Sequence, residues 1–511
     1  MRLRRVGYAV ALIVTLALAA AAQRYQRPAP NDFFRYNDQA QMPAHPAAVK
    51  EEPPVVTHHQ ITLDGQTIAY TAYTGFMPIR NATTGETEGR IFYIYYAKDG
   101  VSDLARRPMF FIFNGGPGSS SVWLHLGAFG PKKIALLPNG AAPPPPYHYE
   151  VNANTLLDQA DMVFIDPVGT GYSRPAEPKL GPKFWGVDND VASVGEFIRM
   201  FLVRYDRWPS PKFLAGESYG TLRGAALSGY LAQHGIALNG VVLISTIINQ
   251  DAHSGDLRYV NSFPTDVMTA WYHHRLAPDL ENLGAAQVAH EAEQFASGEY
   301  LSALYQGARL APAARQKVIA DMARLTGLSP RFIAENDLRL SLGRFSTELL
   351  RDQHLITGRL DSRFTAYATD AGAEETPFDP SDANIENSFP PVFQDYVQKE
   401  LGYKSYDIYY ILGGGIGPWP GAYQVTPQLE EAFARNPSMH LFLAMGYYDF
   451  ATVYYAVEWT LAHLHVSDSV REHNITTDHF EAGHMVYIDA RAMRKLRSDL
   501  RAFISGSVPQ S

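Results

Sequence analysis

A serine between two glycines, in the segment Gly216-Glu-Ser-Tyr-Gly220, has the residue types of an activated nucleophile. An apolar run over residues 213–215 precedes the segment, and small, helix-competent residues at 221–227 follow it. Glycines at these positions favour a tight turn from a strand into a helix, because such a turn has no room for a Cβ. The turn would lift the Ser218 hydroxyl above a sheet and place a helix N-terminus behind a developing negative charge. The pattern predicts that Ser218 is a nucleophile.

A hydroxyl nucleophile needs a general base, and the base needs an acid that orients it. His484 stands in Glu481-Ala-Gly-His-Met-Val486, in a predicted loop just before the last helix. Asp449 follows an apolar strand pattern at 441–445, whereas the alternative acid, Asp478, lies six residues before His484 and follows no clear strand. We therefore expect Asp449 to hold the tautomer of His484, in the chain order serine, acid, histidine.

A second glycine-rich segment could stabilise negative charge on a substrate oxygen. Asn114-Gly-Gly-Pro-Gly-Ser-Ser-Ser121 ends an apolar run at 108–113, and its glycines would let backbone N–H groups approach that oxygen. The second donor would be the N–H of Tyr219, directly after the nucleophile. A phosphate-binding loop would end in Gly-Lys-Ser or Gly-Lys-Thr, which this segment lacks.

These residues need a sheet to position them, and the hydropathy pattern provides one. Alternating segments at 60–64, 67–73 and 90–96 predict half-buried strands, and continuous apolar runs predict central strands at 108–113, 161–166, 241–244 and 439–445. Helical stretches at 188–205 and 490–504 lie between or after them. This alternation predicts an α/β fold with a mostly parallel sheet. From about 249 to 413 the strand runs disappear, which predicts a largely helical insertion.

Composition excludes several classes of protein. The chain has 511 residues, 46% of them hydrophobic, and a formal charge of −9, which excludes a disordered chain and disfavours nucleic-acid binding. It has no cysteine, so disulfides, zinc-thiolate sites, iron–sulfur clusters and a cysteine nucleophile are excluded. It contains neither a His-Glu-x-x-His motif nor a dinucleotide fingerprint, and we expect no metal and no cofactor.

The N-terminus has the pattern of an export signal. Residues 1–22 combine a basic start, an apolar run and an alanine-rich end, which predicts a signal peptide and a periplasmic or secreted protein. An uncleaved membrane anchor is the alternative reading of the same segment. Residues 23–55 are polar and contain proline, which predicts a mobile leader. No later stretch is long and apolar enough to predict a membrane span.

Five ordered motifs together resemble those of the serine carboxypeptidases. They are Asn114-Gly-Gly-Pro-Gly-Ser-Ser-Ser121, Asp166-Pro-Val-Gly-Thr-Gly-Tyr-Ser173, Gly216-Glu-Ser-Tyr-Gly220, Gly446-Tyr-Tyr-Asp449 and Ala482-Gly-His-Met-Val486. The resemblance implies an α/β-hydrolase core interrupted by a helical cap, and the sequence pattern places the core at 56–248 and 414–511 and the cap at 249–413. The resemblance further implies the release of single amino acids from peptides that have a free C-terminus. The absence of cysteine from an exported chain favours a bacterial member.

The resemblance also implies a role for each matching residue. The implied roles are a catalytic triad of Ser218, Asp449 and His484, an oxyanion hole formed by the N–H groups of Gly116 and Tyr219, and a site for the substrate's terminal carboxylate formed by Asn114, the Gly115 N–H and Glu217. Carboxylic acids can hydrogen-bond a carboxylate only by sharing a proton, which would favour acidic pH.

The sequence departs from the family pattern at two positions. Ser119 stands where many members have a disulfide-bonded cysteine, and Ala128 stands where a second glutamate of the carboxylate site would fall. The loss at Ala128 leaves open an esterase, or an acyltransferase that uses an alcohol in place of water, with the same triad. The residue preference at the scissile bond and the oligomeric state remain open.

Overall fold

The computed structural model describes residues 52–508 except positions 371, 373 and 375. The predicted signal peptide, and the predicted leader up to residue 51, lie outside this part of the chain. Val55, the last residue of that leader, already begins the first strand. Within the described residues, no helix combines the length and the hydropathy needed to cross a bilayer.

In the described part of the chain, fourteen strands form one large sheet and two small hairpins. The strands are β1 (Val55–Leu63), β2 (Gln66–Arg80), β3 (Thr87–Lys98), β4 (Met109–Phe113), β5 (Lys132–Ile134), β6 (Tyr149–Val151), β7 (Asp161–Asp166), β8 (Arg174–Pro175), β9 (Lys212–Ser218), β10 (Gly240–Thr246), β11 (Leu355–Thr357), β12 (Thr365–Tyr367), β13 (His440–Gly446) and β14 (Ile475–Phe480). The order in the large sheet is β1-β2-β3-β7-β4-β9-β10-β13-β14, and β8 pairs with β3. Strands β1 to β3 pair antiparallel, and the neighbours from β7 to β14 in that order run parallel.

Helices surround the large sheet. They are α1 (Val122–Leu124), α2 (Val187–Arg204), α3 (Tyr219–Gln233), α4 (Leu257–Tyr272), α5 (Pro278–Glu281), α6 (Ala285–Phe295), α7 (Leu301–Gln306), α8 (Pro312–Thr326), α9 (Pro330–Glu335), α10 (Leu342–Glu348), α11 (Pro380–Glu386), α12 (Phe389–Lys399), α13 (Thr426–Arg435), α14 (Tyr454–Ala462), α15 (Asp468–His473) and α16 (Ala490–Ser507).

Both faces of the sheet are buried, as strand β4 shows. Its side chains alternate between two apolar cores, with Met109, Phe111 and Phe113 in one and Phe110 and Ile112 in the other. A strand covered on both faces has a continuous apolar sequence, which is the pattern at 108–113. The predicted α/β fold with a mostly parallel central sheet is confirmed.

The stretch from 249 to 413 contains helices α4 to α12 and the hairpin β11–β12. Phe263 of α4 belongs to the same apolar core as Leu222 of α3, next to the sheet. Phe389 of α12 belongs to the second core, together with Leu496 of α16. The stretch therefore packs against both cores, and its division from the rest of the chain as a cap stays a prediction.

Candidate active site

The predicted turn at the serine joins β9 to α3. Ser218 ends the strand with φ 58° and ψ −129°, a region that residues with a side chain rarely adopt. A Cβ on Gly216 would lie 2.2 Å from the carbonyl oxygen of Gly220, so the tightness of the turn excludes a side chain there. Ser218 is half-buried at the carboxyl end of a parallel strand, where loops converge above the sheet.

The predicted base and acid lie together after β13 and β14. His484 Nδ1 is 2.8 Å from Asp449 Oδ2, and the Asp449 side chain is fully buried. Asp449 Oδ1 accepts hydrogen bonds from the N–H groups of Ala451 at 2.7 Å and Thr452 at 3.0 Å. The Thr452 hydroxyl donates to Asp449 Oδ2 at 2.6 Å. Asp449 is thereby fixed with one oxygen directed at the imidazole.

The imidazole of His484 is biased towards holding a proton. Burial lowers its pKa, but the charge of Asp449 and the hydrogen bond to it, together with Glu217, raise the pKa and make the net shift upward. The Ser245 hydroxyl, on β10, donates to the His484 carbonyl oxygen, and Ser218 on β9 pairs with the neighbouring Thr246. Within the described chain no hydrogen bond links the Ser218 hydroxyl to His484. Such a bond is often long or poorly aligned without substrate.

The alternative acid points elsewhere. Asp478 lies within β14 and not after the end of a strand. Its carboxylate pairs with the ammonium group of Lys495 on α16. The structure therefore places Asp449, and not Asp478, beside His484.

The glycine-rich segment contacts the turn at the serine directly. A Cβ on Gly115 would lie 2.4 Å from the Tyr219 nitrogen and 2.5 Å from the Gly220 nitrogen, so the two backbones meet at van der Waals distance. Tyr219 is the first residue of α3, and its N–H therefore has no acceptor within the helix. The N–H groups of Gly116 and Tyr219 belong to these two touching segments. Such an arrangement would allow both groups to donate to one substrate oxygen.

Glu217, the residue before the serine, is buried with only 3% of its surface exposed. Its Oε2 accepts hydrogen bonds from Asn114 Nδ2 and, at 2.8 Å, from the Tyr487 hydroxyl. Burial, with the charge of Asp449, raises the pKa of Glu217 to about 7 against the opposing effects of His484, Tyr487 and Asn114. A buried carboxyl that is half-protonated near neutral pH can donate a hydrogen bond to an anion.

Comparison with known proteins agrees with these motifs. A model of the serine carboxypeptidase family matches residues 63–291, which include the glycine-rich segment and Ser218. Over these residues the chain is similar to the serine carboxypeptidase family. The family match ends before Asp449 and His484, whose pairing is therefore a separate observation from the structure.

Curated relatives match this chain over part of their length. The pheromone-processing carboxypeptidase KEX1 of Komagataella phaffii is 28% identical over 155 residues, 29% of this chain and 22% of the relative. Serine carboxypeptidase-like 29 of Arabidopsis thaliana is 28% identical over 185 residues, 33% of this chain and 32% of the relative. The matched region thus spans about a fifth to a third of these relatives.

A solved structure has a similar fold. The crystal structure of Kex1(delta)p, a prohormone-processing carboxypeptidase from Saccharomyces cerevisiae, aligns with a TM-score of 0.51 and 15% identity. The alignment covers 85% of this chain and 91% of that one.

Both departures from the serine carboxypeptidase pattern lie in buried segments. Ser119 accepts a hydrogen bond from Trp123 Nε1 at 3.0 Å, and the Ser120 N–H donates to the Ile411 carbonyl oxygen at 2.9 Å. Backbone pairing therefore joins this segment to residues 411–413. Ala128 is fully buried, and its carbonyl oxygen accepts from Asn152 Nδ2 at 2.7 Å.

Sequence reasoning missed several residues that support this site. Thr452 and Tyr487 each lie three positions after a predicted triad residue, which is the only sequence signal they give. Arg223 is fully buried, and its guanidinium donates to the Asn114 carbonyl oxygen at 2.6 Å and to Asp190 Oδ2 at 2.7 Å. Arg223 thus holds the start of the glycine-rich segment in place through the Asn114 carbonyl. Among the described residues, no three acidic or histidine side chains form a group that could hold a metal ion.

Proposed function

We propose that the protein is a serine carboxypeptidase that releases single amino acids from peptide C-termini through an acyl-enzyme on Ser218. The observation that carries the proposal is the buried, readily protonated carboxyl of Glu217, directly before the nucleophile. A peptide's C-terminal carboxylate accepts a charge-assisted hydrogen bond from this carboxyl, which is stronger than the bond that the neutral carbonyl of an internal peptide bond accepts. The His484–Asp449 pair at 2.8 Å supplies the general base.

In the acylation step the Ser218 oxygen attacks the last peptide carbonyl carbon, and His484 Nε2 takes the hydroxyl proton. Asp449 accepts the hydrogen bond of Nδ1–H and stabilises the imidazolium. The N–H groups of Gly116 and Tyr219 donate to the oxyanion of the tetrahedral intermediate. His484 then gives its proton to the leaving nitrogen, and the C-terminal amino acid departs.

In the deacylation step a water molecule takes the place of the departed amine. His484 removes a proton from the water as it attacks the acyl carbonyl, and the same two N–H groups stabilise the second oxyanion. The ester bond to Ser218 breaks, and His484 returns the proton to the serine oxygen. The shortened peptide leaves with a new terminal carboxylate.

The substrate's terminal carboxylate binds Asn114, the Gly115 N–H and Glu217 in this proposal. The Gly115 backbone touches the turn at Ser218, so this group of donors lies next to the proposed nucleophile. Peptides with a free C-terminus are therefore substrates, and internal bonds of a C-terminally blocked chain are not.

The test compares an N-blocked dipeptide with its C-terminal amide and its C-terminal ester. We expect release of one amino acid from the free acid and a lower kcat/KM for the amide and the ester. Ser218→Ala should abolish all three reactions. An enzyme that prefers the ester or transfers the acyl group to an alcohol would be an esterase or an acyltransferase, and cleavage inside a C-terminally amidated peptide would contradict the proposal.

We propose in addition that the protein is exported to the periplasm or beyond, with residues 1–22 as a cleaved signal. The basic start and alanine-rich end of that segment support the proposal. Cell fractionation followed by N-terminal sequencing tests it, with a mature chain that begins near residue 23 as the expected result. A membrane-bound chain that keeps residues 1–22 would indicate an anchor.

A further inference from the structure

Tyr487 lies in a short turn that precedes α16, three residues after His484. Its side chain is buried, and its hydroxyl donates to Glu217 Oε2 at 2.8 Å. The ring packs on the backbone of Gly127, where a Cβ would lie only 2.6 Å from a Tyr487 ring carbon. Because the ring has no space to move on this side, the hydroxyl is held at Glu217.

The two carboxyl oxygens of Glu217 have different surroundings. Oε2 accepts from Asn114 Nδ2 and from the Tyr487 hydroxyl, whereas Oε1 accepts no hydrogen bond within the described residues. The Asn114 amide has a fixed orientation, since its oxygen accepts the Leu124 N–H at 3.0 Å. A neutral carboxyl has one hydroxyl and one carbonyl oxygen, and an oxygen with two donors serves as the carbonyl. The proton of neutral Glu217 therefore belongs on Oε1.

We infer that Tyr487 is a positioning residue for substrate specificity. Together with Asn114, it holds the proton of Glu217 on Oε1, from which Glu217 donates it to the terminal carboxylate of a peptide. This inference rests on the proposed carboxypeptidase function. It assigns a neutral phenol, in addition to the carboxylic acid, to recognition of the substrate's anion.

A phenol suits this position electrostatically. Burial, together with the charge of Glu217, raises the pKa of Tyr487 well above its ordinary value, so the hydroxyl remains a neutral donor. The other ionisable groups that act on Glu217 are His484 and Asp449. A neutral tyrosine adds no second negative charge, and the site then needs one proton, that of Glu217, to bind a carboxylate.

The direct test is Tyr487→Phe, with KM measured from pH 5 to 9 for the N-blocked dipeptide and for its C-terminal amide. We expect KM for the free acid to rise about 10-fold at low pH, as for loss of one hydrogen bond to an ionisable group. The Tyr487 hydrogen bond lowers the pKa of Glu217, so its removal should also move the rise of KM at alkaline pH to higher pH. Values for the amide should not change.

The matched control is Tyr300→Phe, which also removes a buried hydroxyl. Tyr300 donates to the Leu338 carbonyl oxygen at 2.6 Å within the 249–413 stretch. This variant should lower stability and leave the pH profile of KM unchanged. A fall in stability alone therefore cannot imitate the result expected for Tyr487→Phe.

A second variant, 3-fluorotyrosine at position 487, keeps the side chain's shape and makes its hydroxyl a stronger donor. The alkaline rise of KM should then move to lower pH, opposite to the shift for Tyr487→Phe. If the phenylalanine variant does not fold, the fluorotyrosine variant alone tests the inference. If neither substitution moves the profile while the native enzyme releases the C-terminal residue, the inference is overturned. If the native enzyme releases no C-terminal residue, the proposed function itself fails.

Discussion

At the scale of single residues, Glu217 and His484 set opposite requirements on pH. The pKa of His484 is raised by Asp449 against the effect of burial, and the imidazole must be neutral to act as a base. Burial raises the pKa of Glu217 to about 7, and its carboxyl must be protonated to bind a carboxylate. Activity on free acids therefore falls as pH drops through the pKa of His484 and as pH rises through that of Glu217.

Glu217→Gln should separate these two limits. The glutamine amide donates a hydrogen bond at every pH, so the fall of kcat/KM for free-acid peptides above about pH 7 should disappear while the fall at acidic pH remains. The measurement is kcat/KM from pH 4 to 9 on an N-blocked dipeptide. The C-terminal amide is the control substrate, since it should lack the alkaline fall even with the native enzyme. Persistence of that fall in the variant would assign it to another group.

The residues of the site that could be predicted from the sequence are those that belong to a recognisable motif. Ser218, Asp449 and His484 each stand at a strand end or in a loop with a recognisable pattern, and the structure brings the last two into hydrogen-bond contact. Tyr487 gives no such signal, because a buried tyrosine that bonds a carboxyl has the same local sequence as one that only packs. Its role depends on a partner 270 positions away in the chain.

At the scale of elements, a segment between β11 and β12 holds the loop that contains His484. The His484 N–H donates to the Leu360 carbonyl oxygen at 2.6 Å, and the Gly483 N–H donates to Asp361 Oδ2 at 3.2 Å. Arg363 pairs with Asp361 and donates to the Glu481 carbonyl oxygen at 2.9 Å. The predicted cap stretch therefore positions His484, the proposed general base.

Asp361→Asn should lower kcat more than it raises KM. The substitution weakens the bond to the Gly483 N–H and leaves the buried Arg363 with one fewer negative partner, so we expect roughly a 10-fold loss in kcat. Steady-state kinetics on the dipeptide measure the split. Asp352→Asn is the matched control, because Asp352 forms an exposed pair with Arg275 and should leave both constants unchanged. Equal effects of the two substitutions would contradict this role.

The contact between the glycine-rich segment and the turn at Ser218 predicts a severe effect of one methyl group. A Cβ in Gly115→Ala would meet the Tyr219 nitrogen at 2.4 Å, which must push the segment away from the turn. We expect about 1–3 kcal/mol of destabilisation from overpacking and at least a 100-fold loss of kcat, as for loss of an oxyanion donor.

Denaturation in urea and kcat on the folded protein check this prediction. The control is Gly506→Ala in α16, where a Cβ meets nothing within 4 Å. That variant should be neutral or slightly more stable, since alanine is the better helix former. A Gly115→Ala enzyme with native kcat would show that the segment does not supply an oxyanion donor.

Elements differed in how well their sequences predicted them. The apolar run at 108–113 predicted β4 correctly, because a strand buried on both faces has no polar positions that interrupt its apolar sequence. The run at 67–73 gave only half of β2, since Gly75 and Pro78 interrupt the pattern although the strand continues to Arg80. The hairpin β11–β12 has three residues in each strand, too few for a periodic signal.

At the scale of the whole molecule, buried ion pairs tie distant parts of the chain together without disulfides. Asp161 at the start of β7 pairs with Arg107 at 2.9 Å and also with Arg207, and each of the three side chains is at least nine-tenths buried. Arg207 also donates to the Tyr95 hydroxyl at 2.9 Å. The pairs join the segment before β4, strand β7 and the loop that follows α2.

Asp161→Asn should destabilise the whole protein without changing its chemistry. The substitution leaves two buried guanidinium groups without their counter-charge, a loss of about 3–5 kcal/mol in the free energy of unfolding. Urea denaturation measures the loss, and kcat per folded molecule should stay native. Asp499→Asn, a partly exposed pair with Lys495, is the control and should cost less than about 1 kcal/mol. A loss of kcat in folded Asp161→Asn would indicate coupling to the active site.

The position of His484 after the last strand of the sheet has a consequence for the timing of synthesis. Ser218 is made before strands β10, β13 and β14, whereas His484, the proposed general base, follows all three. A growing chain therefore carries the serine without its proposed base until β14 has been made. The order of synthesis thus delays the point at which Ser218 can be activated.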